Sequence, residues 1–280
     1  MATENDWVDT NIYERLLVKG MAYYVRLRPY PFREMSFQDA ADYTAKKIYE
    51  KNKKIYVALS GGADSVFVTQ CFHRNNIPFE VIIVKTSGNA KELQYAFALC
   101  KKLNIEPIVL NLDNSEYLSI YYEEVIKKIL GYGIFSIPSI HACRYARDND
   151  GVLIIGEHMI EGEKPDEDGE VRLRPMMNEW DSYNECFVGE QYTIPFFMYT
   201  LEIAYAMIDA IFDDKEPVDM WKCKLYGIEY RPILGYEFDK EFRELARKIS
   251  MSSGVKSAKS GHSFGKRADL IEFLDLWKIK

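Results

Sequence analysis

Six consecutive residues near the start of the chain have the composition of an anion-binding turn. They read Ser60-Gly61-Gly62-Ala63-Asp64-Ser65 and directly follow a short apolar run at 55–59. Glycines let the backbone approach a phosphate closely, and the N–H groups at the start of a helix point toward it with the helix dipole behind them. Ser60 and Ser65 add hydroxyl donors. The stretch therefore predicts a phosphate cradle between a strand and a helix.

Asp64 carries a negative charge, which is misplaced beside a bare phosphate. Its carboxylate indicates either a bound Mg²⁺ or a capping role at the start of the helix. An ordinary strand-to-helix turn also uses Gly, Asp and Ser. The cradle is the favoured interpretation because strand, loop and helix fall in register. The chain contains no G-x-x-x-x-G-K-[ST] sequence, which disfavours a Walker-type phosphate site.

The elements around this loop alternate between strands and helices. Strands are predicted at 55–59, 79–84, 107–112 and 152–155, and helices at 36–52, 65–75, 92–103, 115–130 and 139–147. Such alternation indicates right-handed βαβ units, and so an α/β fold with an open, mostly parallel sheet and helices on both faces. Ligands of such sheets lie at the carboxyl ends of the strands. Ser60 and Gly156 both fall at such ends.

Three segments are expected along the chain. Residues 1–53 form an N-terminal extension of strand, turn and helix, residues 54–156 form the α/β core, and residues 157–280 form an insertion and a helical cap that completes the site. Within the cap, an apolar helix at 196–212 belongs either to the core or to a subunit contact in a homodimer. The stretch at 250–267 is rich in Ser, Gly and Lys and is expected to be mobile.

Length and composition exclude several classes of function. The chain has 280 residues and a net charge of −7, and 48% of its residues are hydrophobic. That size suits one large domain, or one domain with a small satellite. The net negative charge argues against binding of nucleic acid over the whole surface, but it is compatible with a local basic patch that binds nucleic acid. A cytoplasmic location is expected, because no apolar run reaches membrane-spanning length and the first residues do not resemble a signal peptide.

The cysteines indicate free thiols in a reducing compartment. None of the five forms a C-x-x-C pair, which disfavours a structural zinc site, an iron–sulfur cluster or a disulfide framework. They are Cys71, Cys100, Cys143, Cys186 and Cys223.

The phosphate loop resembles the S-G-G-x-D-S signature of the N-type ATP pyrophosphatases, or PP-loop enzymes. This resemblance implies ATP and Mg²⁺ as cofactors and an adenine nucleotide alpha hydrolase-like fold of the HUP type. It also implies cleavage of ATP between the α and β phosphates. Enzymes of this family attach AMP to a substrate oxygen, and an amine or sulfur nucleophile then displaces the AMP.

Weaker similarities point to the synthetase domain of asparagine synthetases. Residues 84–86 (V-K-T) are similar to a segment that contacts adenine in that family, and 152–157 (V-L-I-I-G-E) to a strand and its following loop. Residues 229–234 (E-Y-R-P-I-L) resemble E-x-R-x-P-[FL]-L, and 259–264 (K-S-G-H-S-F) resemble a late segment whose lysine meets the pyrophosphate. Together these similarities cover roughly 54–277.

The resemblance implies a set of site residues. Catalytic roles fall to Asp64, Glu157 and Lys259, and Asp64 is also the metal ligand. Lys256 and Lys266 are alternatives to Lys259 for contacting the departing pyrophosphate. The residues expected to bind the nucleotide are Leu59, Ser60, Gly61, Gly62, Asp64, Ser65, Val84 and Gly156.

Two departures from the asparagine synthetase pattern change the expected chemistry. Ile160 stands where that family has a substrate-contacting aspartate, which disfavours synthesis of asparagine from aspartate. Ala2 stands in place of the nucleophilic cysteine of the glutaminase domain. Ammonia or another amine is therefore expected to come from solution, from a partner or from the second substrate.

The sequence predicts an adenylating ligase of amidotransferase-like type. It would activate a small-molecule carboxylate, or an equivalent oxygen, as an AMP adduct and transfer it to an amine. Two alternatives stay open. A nucleobase- or tRNA-modifying PP-loop ATPase would be favoured by a basic groove around 248–267, and a nucleotide-binding partner subunit would bind ATP without turnover.

Overall fold

The computed structural model describes residues 7–10, 25–52, 54–126, 137–157, 161–162, 173–174, 192–211, 218–230, 232, 237–252, 271–272 and 274–279. The strands in these ranges are β1 (Val8–Thr10), β2 (Val25–Leu27), β3 (Ile55–Ala58), β4 (Glu80–Lys85), β5 (Ile108–Asn111), β6 (Val152–Ile155), β7 (Glu161–Gly162), β8 (Leu173–Arg174) and β9 (Thr193–Pro195). The helices are α1 (Phe37–Lys51), α2 (Ala63–Arg74), α3 (Ala90–Leu103), α4 (Asn114–Ile120), α5 (Ile137–Asp148), α6 (Leu201–Ile211), α7 (Val218–Tyr226) and α8 (Lys240–Ser252).

Five strands form one parallel sheet in the order β5-β4-β3-β6-β9. In the central strand β3, Val57 lies beside Val81 of β4 on one side and beside Ile154 of β6 on the other. The chain winds outward from β3 in both directions, so the winding reverses between β3 and β6. In open α/β sheets, ligands bind outside the carboxyl ends of the strands at such a point.

The sheet has helices on both faces, because its side chains alternate between them. On one face, Ile55 and Val57 pack with the apolar sides of α1, α2 and α6. On the other, Tyr56 packs with residues of α4 and α5, with Phe238 just before α8 and with Phe242 in its first turn. The open parallel sheet predicted from the sequence is confirmed. β6 is buried along its length and β3 up to its last residue, Ala58, which is half-buried, as expected of strands covered on both sides.

Helix α1 belongs to the same core as the helix that follows the phosphate loop. Ser36 caps it by accepting a hydrogen bond from the N–H of Asp39 at 3.2 Å, which fits the predicted start of this helix. Its buried side includes Ala41, Ala45 and Ile48, which lie in one cluster with residues of α2 and α6. The N-terminal extension thus packs directly against the α/β core.

The chain beyond residue 157 adds a strand and several helices to this architecture. β9 pairs with β6 as the fifth strand of the sheet, a strand that the sequence pattern did not predict. The helix expected at 196–212 begins as a 3₁₀ turn (Phe196–Met198) and continues as α6. Its side chains are buried against α1 and α2, so this helix is part of the core. The stretch at 250–267 lies outside the described residues beyond Ser252.

The described residues include four cysteines but no membrane-spanning helix and no group of side chains that could hold a metal ion. No helix among them has the length and apolar character needed to cross a bilayer. No cluster of three or more His, Cys, Asp or Glu side chains occurs within the described ranges. Cys71, Cys100, Cys143 and Cys223 are buried free thiols, and Cys186 lies outside the described residues.

Candidate nucleotide site

The predicted phosphate loop joins the end of β3 to the start of α2, and its two serines form hydrogen bonds within the loop. The N–H of Gly62 donates to Ser60 Oγ at 3.3 Å, and the N–H of Ser60 donates to Ser65 Oγ at 3.3 Å. Ser65 Oγ donates to the carbonyl of Gly62 at 3.0 Å. These bonds fix the curve of the loop before any ligand is present.

Two glycines of the site lie where a larger residue would collide with backbone. Gly61 has a φ of +98°, and a Cβ built on it would lie 2.4 Å from the carbonyl oxygen of Glu92 in α3. A Cβ on Gly156, after β6, would lie 2.9 Å from both Asp64 Cβ and the amide nitrogen of Ser65. The backbones after β3 and β6 therefore meet at the phosphate loop, as their neighbouring positions in the sheet require.

The first turn of α2 offers its backbone N–H groups to an anion. Gly62 is the N-cap residue and has no side chain to accept a hydrogen bond from them. Helix N-termini without a side-chain cap bind phosphates and carboxylates well, because the N–H groups and the helix dipole act together. The arrangement agrees with the cradle that the sequence predicted.

Asp64 lies in that first turn and is held by two side chains of α7. Lys222 Nζ donates to Asp64 Oδ2 at 3.0 Å, and the Tyr226 hydroxyl donates to Asp64 Oδ1 at 2.5 Å. The exposed fractions of the Lys222 and Asp64 side chains are 11% and 26%. The carboxylate is therefore fixed in orientation but still partly open to solvent.

Tyr226 is buried in a group of stacked aromatic rings. Its ring lies 4.6 Å from that of Phe67, 5.5 Å from that of Phe197 and 5.7 Å from that of Phe37. Burial, reinforced by the charge of Asp64, raises the pKa of Tyr226 well above its usual range. The phenol thus remains protonated and serves as a permanent donor to Asp64.

The loop after β4 closes another side of the site. The Thr86 N–H donates to Asn89 Oδ1 at 2.9 Å, and Asn89 Nδ2 donates to the carbonyl of Val84 at 2.9 Å. At the end of β3, the N–H of Leu59 donates to the carbonyl of Ile82 at 2.9 Å. Leu59 and Val84 are both buried at the carboxyl ends of adjacent strands.

The structure brings together most of the sequence-predicted residues. Ser60–Ser65 and Gly156 are in direct contact, and half-buried Glu157 follows Gly156. Lys256, Lys259 and Lys266 lie outside the described residues, as does Ile160. Sequence reasoning missed Lys222 and Tyr226. Their spacing of four residues, which places both on one side of a helix, was the signal available.

Comparison with known proteins gives one sequence match of interest. No protein-family model matches the chain. Over 90 residues it is 34% identical to the tRNA-specific 2-thiouridylase MnmA of Buchnera aphidicola, a match that covers 29% of this chain and 24% of that protein. The chain spans about a quarter of the length of that relative.

Two solved structures are also similar. The ammonia-dependent NAD synthetase from Campylobacter jejuni has a TM-score of 0.33 and 21% identity, over 44% of this chain and 58% of that chain. The NMN synthetase from Francisella tularensis has a TM-score of 0.37 and 11% identity, over 80% and 97%. Both TM-scores lie below 0.5, so neither likeness assigns roles to residues here.

Proposed function

We propose that the chain is an ATP-dependent adenylating enzyme that activates a substrate carboxylate, or an equivalent oxygen, and releases pyrophosphate. One observation carries the proposal: α2 starts without a side-chain cap at a tightly packed loop. Only glycine fits at position 61, which contacts α3, and at position 156, which contacts the first turn of α2. A helix start of this kind binds a phosphate. The S-G-G-x-D-S sequence and the 34% identity to MnmA support ATP as the source of that phosphate.

ATP would lie along the carboxyl edge of the sheet. Its triphosphate would rest on Ser60–Ser65, and its adenine would lie against the backbone near Leu59 and Val84. This placement follows from the parallel pairing of β3 and β4, which puts the ends of both strands at one edge. Gly156 would face the phosphates from the end of β6.

Asp64 is the proposed ligand for Mg²⁺, and its surroundings fit that role. Each of its carboxylate oxygens accepts one hydrogen bond from α7, which fixes the orientation of the group, and 26% of the Asp64 side chain is exposed. Mg²⁺ prefers oxygen ligands and is usually held by one or two carboxylates together with substrate phosphates and water. The ion would supply charge neutralisation on the phosphates.

The proposed reaction has two steps. A substrate oxygen attacks the α phosphorus, the bond to the β-phosphate oxygen breaks and pyrophosphate leaves; an amine then takes the activated group and AMP leaves. Glu157 would orient the substrate or accept its proton. Lys259 is proposed to contact the pyrophosphate. Most of the rate enhancement would come from positioning and from charge stabilisation.

Exchange of labelled pyrophosphate into ATP tests this proposal. The protein is incubated with Mg·ATP and a panel of small carboxylates, and hydroxylamine is added to trap an activated carboxylate as its hydroxamate. We expect exchange and hydroxamate with a subset of the carboxylates. The same incubation with α,β-methylene-ATP is the control, since its α–β bridge cannot be cleaved. Turnover that releases γ-phosphate without exchange would contradict the proposal.

A tRNA-modifying PP-loop ATPase is the second candidate, favoured by the match to a tRNA-specific 2-thiouridylase. Two of the described cysteines do not suit sulfur transfer, because burial raises the pKa of both Cys71 and Cys143 to about 12. A gel-shift experiment with bulk tRNA separates the candidates. Binding that Mg·ATP tightens would favour the tRNA substrate; no shift, together with exchange on a small carboxylate, would favour the ligase.

A further inference from the structure

Helix α7 places a buried lysine beside the phosphate loop. Lys222 Nζ lies 3.0 Å from Asp64 Oδ2, and its side chain is only 11% exposed. An ammonium group has three N–H donors and loses its hydration when it is buried. In the part of the chain that the structure describes, the carboxylate of Asp64 is the one acceptor for it.

The position of this ammonium group is set by Tyr226 and Asp64. Tyr226 donates to the other oxygen of Asp64 at 2.5 Å, and the ring is held by stacking on Phe67. Since both oxygens of the carboxylate accept a bond from α7, the carboxylate cannot rotate without losing one of them. Lys222 therefore stays at the N-terminal end of α2, where Asp64 occupies the first turn.

A purely structural ion pair is a weak reason to bury a lysine at this place. The desolvation of two charges offsets most of their attraction, and apolar side chains of similar size often stabilise a fold as well. An anion on the first turn of α2 would change this balance. Its oxygens would accept from the remaining N–H donors of Lys222, and such charge-assisted bonds are the strong ones.

We propose that Lys222 is a further catalytic residue of this site, which donates to the pyrophosphate portion of bound ATP and to pyrophosphate as it leaves. Asp64 and Tyr226 are the residues that position it. Its ammonium group is in place before the nucleotide arrives. The inference rests on the proposed function, because it takes the phosphate loop to be the nucleotide site.

Calorimetric titration with Mg·pyrophosphate and, separately, with AMP tests this role. Lys222→Met should weaken pyrophosphate binding at least about tenfold, the scale of one lost hydrogen bond to a charged group, and should leave AMP binding within about twofold. The matched control is Lys224→Met, which alters an exposed lysine on the same helix and should change neither affinity. Equal pyrophosphate affinity in wild type and Lys222→Met would overturn the inference.

A second comparison covers the case in which Lys222→Met does not fold, because removing one partner of a buried ion pair is strongly destabilising. Asp64→Asn is compared with Asp64→Asn/Lys222→Met by titration with pyrophosphate in the absence of Mg²⁺, because Asp64 is the proposed metal ligand and its loss would weaken Mg·pyrophosphate binding in both variants. The double variant should again bind pyrophosphate at least about tenfold more weakly than Asp64→Asn, and no further loss would overturn the inference. Wild-type protein that binds neither Mg·ATP nor pyrophosphate would contradict the proposed function, and this inference with it.

Discussion

Gly61 and Gly156 shape the phosphate loop because each lies where a methyl group would meet another backbone segment. Gly61 also has a positive φ that strains any other residue. Gly62, between Gly61 and the helix, differs from both. Its φ is −66°, and the nearest atom to a Cβ built there is Ser60 Oγ at 3.5 Å. The three positions thus provide a test with an internal control.

We expect Gly61→Ala and Gly156→Ala to lose affinity for α,β-methylene-ATP at least about tenfold, as the loop shifts to relieve contact. Gly61→Ala should also be destabilised by about 1–3 kcal/mol, the cost of a strained backbone conformation. Gly62→Ala should stay within about 1 kcal/mol of wild type in stability, because its φ is ordinary and a Cβ there meets no protein atom closer than 3.5 Å. Calorimetry and urea unfolding give these values. Normal binding by Gly156→Ala would contradict the close approach of β6 to the loop.

The sequence indicated the residues on one side of the proposed site but not those on the other. Ser60–Ser65 were identified because their types and spacing are unusual, and Gly156 because it ends a fully apolar strand. Lys222 could not be identified in the same way. Helix α7 contains Lys222 and Lys224, and only the packing of α7 against α2 decides which of them is buried. Such a choice depends on tertiary contacts.

At the level of elements, the strands β3, β4 and β6 were predictable since each is an apolar run between turn residues. β9 was missed because it is three residues long and ends in Pro195, which lacks an N–H and usually indicates the end of a strand. The structure explains the exception. Among the described residues β9 is the outermost strand on the β6 side of the sheet, and an edge strand tolerates proline.

The Ser36 cap of α1 gives a test of one element. Ser36→Ala removes the acceptor for the N–H of Asp39 and should lower the free energy of unfolding by about 0.5–2 kcal/mol. Ser119→Ala in α4, an exposed position within a helix, is the control and should change it by less than about 0.5 kcal/mol. Urea unfolding measures both. An unchanged midpoint in Ser36→Ala would show that the cap does not stabilise α1.

At the scale of the whole molecule, segments distant in sequence share one core. Phe37 of α1, Phe67 of α2, Phe197 of the 3₁₀ turn and Tyr226 of α7 stack together beneath the phosphate loop. The residues that hold Asp64 are therefore supported by three parts of the chain. The division of the chain into an extension (1–53), a core (54–156) and a cap (157–280) stays a prediction from the sequence.

Buried thiols make the stability of the whole fold sensitive to alkaline pH. Burial raises the pKa of Cys71 to about 12 from its ordinary value of 9.0, so the folded state holds this proton more tightly than the unfolded state. The stability from this group is complete below pH 9.0 and is lost as the pH rises toward about 12. Each pH unit in that window costs up to about 1.4 kcal/mol.

Urea unfolding at pH 8 and pH 10.5 measures this effect. We expect a lower unfolding free energy at the higher pH, and a smaller pH dependence in Cys71→Ala, which has no thiol to ionise at that position. Ser119→Ala should keep the full dependence. An equal pH dependence in wild type and Cys71→Ala would mean that this thiol does not contribute.

The identity of the nucleotide products tests the proposed chemistry most directly. The protein is incubated with Mg²⁺ and ATP labelled at the α phosphorus, together with fractions of small metabolites or tRNA as acceptors, and the products are separated by chromatography. We expect labelled AMP, free or attached to an acceptor, and an equal amount of pyrophosphate. Labelled ADP with orthophosphate, or intact ATP with every acceptor fraction, would contradict cleavage between the α and β phosphates.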